Sequence, residues 1–315
     1  MMFKPVLSLL SPRGEGARLT VLIFHRVVAQ PDALFPGEMH AARFLQVCGW
    51  VKGMFNVLPL DSAVAQLKAG TLPARAACMT FDDGYADNFH VALPILRQCG
   101  LTATFFIATG FLDGGRMWND TLIETVRGFK REALNLSAVG LGCHATGTPA
   151  EKRTAINTLI EQLKYRPAAH RDALSDHVAR MARVRLPDDL MMTSKEVKTL
   201  YRAGQQIGAH TVSHPILAGL GTDQARQEIE GSKHCLEQML GERVSLFAYP
   251  NGKPDQDYTK ASADLVRRAG FDAAFSTQRG STGQGDDVYQ IRRFTPWDSS
   301  RWRFGARLAG NLYDK

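Results

Sequence analysis

Met79-Thr80-Phe81-Asp82-Asp83-Gly84-Tyr85-Ala86-Asp87-Asn88 is the stretch from which the fold of this chain can be read. The run before it, Ala76-Ala77-Cys78-Met79-Thr80-Phe81, has the length and composition of a short apolar strand. Neighbouring strand residues point to opposite faces. Asp82 and Asp83 therefore share one site only if the strand ends there and the chain turns. Gly84 supplies the turn, because glycine tolerates backbone angles that other residues avoid. Two carboxylates held close cannot both ionise cheaply unless a cation sits between them or one keeps a proton. A bare Asp-Asp pair is usually only a solvated turn, so its partners along the chain must decide.

Upstream, Leu19-Thr20-Val21-Leu22-Ile23-Phe24 is a continuous apolar, β-branched run that ends in His25. It reads as a strand buried on both faces, as in a parallel sheet. Helical patterns follow at 41–55 and 60–69. Downstream a unit recurs: helix, glycine, strand. It spans 91–100 then 103–108, 197–204 then 206–209, and 265–270 then 271–276. A further strand reads at 244–248. The alternation predicts an α/β fold, either a (β/α) barrel or a doubly wound sheet. The segment 113–193 breaks the rhythm. It has no convincing strand, three helical patterns at 122–133, 154–163 and 170–183, and the character of a helical insertion that serves substrate access.

At 315 residues the chain can bury a large core, and 44% hydrophobic with 22% charged residues is ordinary for a globular protein. The net charge of +7 comes from scattered Lys and Arg, which argues against a nucleic-acid partner. Five cysteines without a C-x-x-C read as reduced thiols, not as a disulfide framework or a metal site. No stretch is long and apolar enough to span a bilayer, and no export signal is readable, which points to the cytoplasm. Phe3, Val6, Leu7 and Leu10 allow either a peripheral membrane contact or a frayed terminal helix.

Polar residues stand at the ends of four predicted strands: His25, the Asp82/Asp83 pair, His210 with His214, and Tyr249. In wound α/β folds the site lies at the C-terminal strand ends. His210-Thr211-Val212-Ser213-His214 brings two histidines to one side if the chain turns helically there. Two histidines and a carboxylate suit a divalent metal with open positions. A spare carboxylate and a spare histidine complete the needs of metal-assisted hydrolysis.

Thr80-Phe81-Asp82-Asp83-Gly84 followed by His210-Thr211-Val212-Ser213-His214 resembles the polysaccharide deacetylase family, also called the NodB-homology domain or carbohydrate esterase family 4. The resemblance covers roughly 19–294. It implies one domain over 1–315, a distorted (β/α)7 barrel interrupted by the insertion at 113–193, and one divalent metal, zinc by preference. It also implies hydrolysis of the N-acetyl group of an acetylated amino sugar or polysaccharide. Carried over by position, Asp82 matches the general base, and Asp83, His210 and His214 match the metal ligands. Tyr249, before Pro250, matches the residue whose backbone N–H helps bind the oxyanion.

The chain departs from the family pattern in two places. Many members use a late Leu-x-His, and this sequence has no histidine after His234. A branch acting on poly-N-acetylglucosamine is similar to this chain in an early strand ending Tyr-His. Phe24-His25 occupies that place, which assigns the acid to His25. The usual base-orienting arginine is also absent, its region being Leu246-Phe247-Ala248, and Arg293 in Ile291-Arg292-Arg293-Phe294 is assigned that task. Trp118 and Trp297 could stack on sugar rings or serve as core aromatics. Asn119 and Asp120 read as rim contacts or helix caps, and Pro250 as part of the substrate wall. Two other functions use the same residues: a metal amidohydrolase for a small non-sugar amide, and a non-catalytic carbohydrate-binding relative.

Overall fold

The computed structural model describes residues 3–313. Seven parallel strands close on themselves. They are β1 Arg18–Phe24, β2 Ala76–Phe81, β3 Thr104–Ile107, β4 Gln206–Ala209, β5 Leu246–Ala248, β6 Ala273–Arg279 and β7 Ile291–Phe294. Each pairs with the next, and β7 returns to β1 through Val21↔Arg293 and Leu22↔Phe294. Of the two predicted arrangements, the barrel is the one formed. The short strand Asn56–Val57 lies outside β2, and Thr282–Gly283 runs antiparallel to the start of β1.

Strand residues alternate between two cores. Along β2, Ala76 and Cys78 belong to the barrel interior, whereas Ala77, Met79 and Phe81 pack beneath the surrounding helices. Along β5 and β6, Leu246, Ala248, Ala273 and Phe275 face in while Phe247 and Ala274 face out. This period of two, apolar on both faces, is why the strands read as unbroken apolar runs. Phe106 and Phe275 fill the middle of the barrel, with ring centroids 5.4 Å apart. Gly208 makes room for them: a Cβ there would lie 2.4 Å from the Phe106 ring.

Eleven helices surround the barrel among the described residues. In chain order they are α1 Phe3–Leu10, α2 Ala41–Met54, α3 Leu60–Lys68, α4 Leu93–Cys99, α5 Trp118–Gly128, α6 Pro149–Leu163, α7 Ala168–Ala182, α8 Ser194–Arg202, α9 Thr222–Leu240, α10 Lys260–Arg268 and α11 Arg301–Tyr313. The helix α3 lies across the N-terminal mouth of the barrel. Its Leu60 N–H donates to Gln206 Oε1 at 2.7 Å, and Lys68 Nζ donates to the Asp272 carbonyl at 2.7 Å. Leu60, Ala63, Val64 and Leu67 join the interior core.

The segment between β3 and β4 holds α5, α6 and α7 around a core of its own, built from residues such as Leu122, Val126, Leu159 and Val178. It also contains a two-stranded hairpin, Ala133–Asn135 with Cys143–Ala145, where no strand is expected. Three-residue strands carry too little periodicity to register in the sequence. The terminal helices differ as well. The helix α1 is docked rather than frayed: Leu7 is fully buried and the Phe3 and Trp302 rings lie 5.0 Å apart. The partner helix α11 is not predicted, because its three arginines mask Phe304, Leu308 and Leu312, all buried. Among the described residues no helix is long and apolar enough to cross a membrane.

Because the Phe106 ring occupies the space where a Cβ at position 208 would lie, Gly208→Ala overpacks the barrel. The expected loss is about 1–3 kcal/mol of stability, read from urea denaturation. A variant as stable as the parent would show that the interior accommodates the methyl group.

Candidate active site

The strand β2 stops at Phe81, and the Asp82 N–H still donates to the Phe24 carbonyl at 2.9 Å. The turn then begins at Asp83 itself, with φ of +79°, and continues at Gly84 with +92°. Aspartate is among the few non-glycine residues that enter this region readily. The turn gives the two carboxylates different partners.

Asp82 belongs to Arg293. Both side chains are almost fully buried, and Arg293 Nη1 and Nη2 donate to Asp82 Oδ1 and Oδ2 at 2.7 Å each. Arg293 Nε donates to the Ser276 carbonyl, also at 2.7 Å, which fixes the plane of the fork. The β6–β7 register slips between Ile291 and Arg293, an irregularity of the kind that re-aims a side chain. Burial alone would raise the Asp82 carboxyl, but the charges of Arg293 and His210 outweigh it and hold the group below its usual range.

Asp83 belongs to the histidines. Its Oδ1 lies 3.3 Å from His210 Nε2 and 3.4 Å from His214 Nε2. That oxygen is buried and accepts no hydrogen bond among the described residues. His210 Nδ1 lies 2.7 Å from the Ala248 carbonyl, which makes Nδ1 the protonated nitrogen and leaves a lone pair on Nε2. Burial pushes the His214 imidazole down to about 4. Burial would raise the Asp83 carboxyl, but the close approach of the His210 and His214 rings outweighs it and holds the group low. An ionised carboxylate thus faces the lone pair of a neutral His214, an arrangement that repels itself without a cation. The three ligand atoms lie within 4.8 Å of one another, and the donor set fits a divalent metal.

The two histidines do not converge on a helical turn. Residues 210–214 form a loop in which Thr211 and His214 take φ of +64° and +53°. Glu228 of α9 holds this loop from behind. Its carboxylate accepts from Val212 N at 2.9 Å, Ser213 N at 2.8 Å and Ser213 Oγ at 2.6 Å. Thr211 Oγ1 accepts from His214 N at 3.1 Å. Nothing local in the sequence marks Glu228, which is one of several acids on a polar helix.

His25 is exposed at the end of β1, and its charge acts on both Asp82 and Asp83. Its carbonyl accepts from Asn88 Nδ2 at 2.8 Å, and Asp87 receives Val27 N–H at 3.0 Å and Arg26 Nε at 2.7 Å. The backbone is thus fixed while the ring makes no hydrogen bond to protein among the described residues. Asp87 and Asn88 lie in the opening stretch itself, five and six residues after Asp82.

Tyr249 does not offer its N–H to the site. That group donates to the Phe275 carbonyl at 3.1 Å in the barrel ladder, and the side chain is fully buried, stacked 3.8 Å from Tyr258. Pro250 has no N–H and is buried, so it shapes the turn rather than a substrate wall. The next N–H is that of Asn251, at φ +57°, which donates to no protein group among the described residues. Asn251 lines a pocket with Asp83, His214, Trp118 and Asn119. Asp120 is not a rim residue. It is 4% exposed beneath the site, accepts from Tyr85 Oη at 3.1 Å, and is pushed up to about 7 by burial against the pull of Arg26. Trp297, 66% exposed, stands on the other side with His25 in a second pocket.

Known proteins align with this architecture. Residues 69–274 match the family described as polysaccharide deacetylase. The Bacillus subtilis (strain 168) protein YxkH, whose name places it provisionally among the polysaccharide deacetylases, is 19% identical over 281 residues, 89% of this chain and 71% of its own. The Streptococcus pyogenes deacetylase PplD, solved in complex with acetate, superposes with a TM-score of 0.62 at 17% identity, covering 94% of this chain and 98% of PplD. IcaB from Ammonifex degensii gives 0.61 at 18% identity, covering 96% and 98%. At these identities the superpositions speak for the barrel, while the family match spans more than half of the chain. A barrel of this kind with that match makes the chain a member of the polysaccharide deacetylase family, a family of amide-cleaving hydrolases.

Proposed function

We propose that this enzyme removes the N-acetyl group from an acetylated amino sugar within a polysaccharide, releasing acetate. The observation that carries the reading is the buried, unbonded Asp83 Oδ1 facing two imidazole nitrogens, beside a second carboxylate already neutralised by an arginine. Asp83, His210 and His214 would hold one divalent metal, with zinc suited to the nitrogen-rich set. When bound, the metal supplies Lewis acidity to the acetyl carbonyl and the attacking water.

The remaining tasks fall to the chain. Asp82, kept ionised by Arg293, accepts the water proton on a carboxylate oxygen, since each oxygen retains a lone pair beyond the one Arg293 uses. Arg293 is a positioning residue: its fork sets the direction in which that lone pair points. The Asn251 N–H, in place of that of Tyr249, donates to the oxygen on which charge develops. His25, with its ring free, delivers a proton to the departing amine. Asn88 and Asp87 hold the backbone that carries His25. Pockets on both sides of the triad, each with a tryptophan, favour a chain of sugars over a small isolated amide.

An acetate-release assay over N-acetylated amino-sugar oligomers tests the reading. Failure of metal-loaded enzyme to release acetate from any of them would overturn it. Elemental analysis should find one divalent ion per chain and a large loss in His214→Ala; equal tight content in both would remove His214 as a ligand. His25→Ala should keep its metal and lose about 10²–10⁴-fold in turnover of amides. The loss should be smaller with activated acetate esters, which need less protonation of the leaving group. An unchanged amide rate would end the assignment of His25. Arg293→Lys keeps the charge without the two-point geometry. It should retain metal while turnover falls about 10²-fold, and a parental turnover would show that Asp82 needs no such clamp.

A further inference from the structure

We propose that the inserted helices make this enzyme selective for an anionic polysaccharide, through a cationic groove that binds carboxylate or phosphate groups on sugar units flanking the one deacetylated. The inference rests on the deacetylase reading for its substrate, but its groove is a separate set of residues. Two adjoining cavities form the groove. The first opens beside Asp83 and His214 and is walled by Trp118 of α5, Lys164 after α6 and Arg171 of α7. The second continues outward past Tyr165 and Arg166. Lys164, Arg171 and Ile216 line both, so the path from the triad to the outer surface is continuous.

The charge along this path has one sign. Apart from the metal-site residue Asp83, no carboxylate lines either cavity, while Lys164, Arg166 and Arg171 do. Lys164 has no carboxylate within 4.0 Å among the described residues. Arg171 is the more telling group. It is 6% exposed, its guanidinium carbon lies 4.9 Å over the Trp118 ring, and its Nε donates to Asp172 Oδ1 at 2.9 Å. The stacking and that single bond fix the plane of the fork, yet its two Nη groups donate to no protein group among the described residues. An arginine kept only to pack against a tryptophan would be replaced at lower cost by an apolar residue. A fixed fork with free Nη donors matches the geometry of carboxylate and phosphate oxygens. The pocket on the opposite side of the triad differs. There a carboxylate, that of Glu38, lines the wall together with Arg26 and Arg43. Selection for negative charge therefore belongs to the side built by the insertion.

Equilibrium binding at low ionic strength tests the groove directly. Three oligosaccharides of equal length would be compared: a neutral N-acetylhexosamine oligomer, one alternating N-acetylhexosamine with uronic acid, and one joined through phosphodiesters. At least one anionic oligomer should bind the enzyme about tenfold more tightly than the neutral one, the worth of one charge-assisted hydrogen bond. Which anionic oligomer wins separates the carboxylate from the phosphate. The preference should fall in Arg171→Gln and in Lys164→Gln, and should fade in about 0.5 M salt. Lys164 is half-exposed, so its variant folds even if Arg171→Gln does not. Equal affinity for all three oligomers, no binding of any, or a preference that survives in Lys164→Gln would overturn the proposal. Acetate release measured on the same samples keeps the two readings apart. Release with equal affinities would sink the groove alone, and a charge preference without release from any oligomer would sink the deacetylase reading alone.

Discussion

A guanidinium from the last strand of the barrel clamps a carboxylate at the end of the second, and the site depends on that contact. Arg293 can reach Asp82 only because β7 closes the barrel against β1, which in turn lies against β2. The pair is buried on both sides, where an unpartnered charge is expensive. Closure of the barrel and assembly of the site are therefore one event. The family match at 69–274 leaves out both His25 and Arg293, so the first and last strands supply groups that the shared segment lacks.

The adjacency of Asp82 and Asp83 poses an electrostatic problem, and the fold solves it by giving each carboxylate its own counter-charge. One faces a permanent cation from the protein. The other faces two imidazoles, one of them neutral at ordinary pH, and a buried oxygen with nothing to accept. Two chemically identical groups are made unlike by a single turn at Asp83 and Gly84. The same turn is locked into the surroundings, because Ala108 N–H donates to the Asp83 carbonyl and Met192 N–H to that of Gly84.

Much of this was legible in the order of residues. The strands announce themselves because both faces are apolar, and Asp82, Asp83, His210 and His214 stand where those runs end. Arg293 came only from the family resemblance, which implies an arginine to orient Asp82 and finds none in the region before Pro250. What escaped the sequence is what depends on backbone direction rather than residue type. The spacing of His210 and His214 suggests a helical turn, yet Thr211 and His214 adopt left-handed angles under the hold of Glu228. Tyr249 has the right neighbour in Pro250, but its N–H was already committed to the ladder, and only the hydrogen-bond pattern identifies Asn251 as the free donor. Asp120 carries the mark of a polar rim at a helix start and is instead sealed under Tyr85.

The plugged barrel has a consequence for traffic. Phe106 and Phe275 fill the interior, and α3 is bolted across the opposite mouth by Leu60 and Lys68. A reaction at the C-terminal strand ends therefore has one doorway, shared by water, polymer and small product. On the deacetylase reading, acetate set free at the floor of that doorway departs beneath or beside a sugar chain still lying across it. Its escape is timed by the sliding or lifting of the polymer, which couples the clearance of one product to the advance of the other.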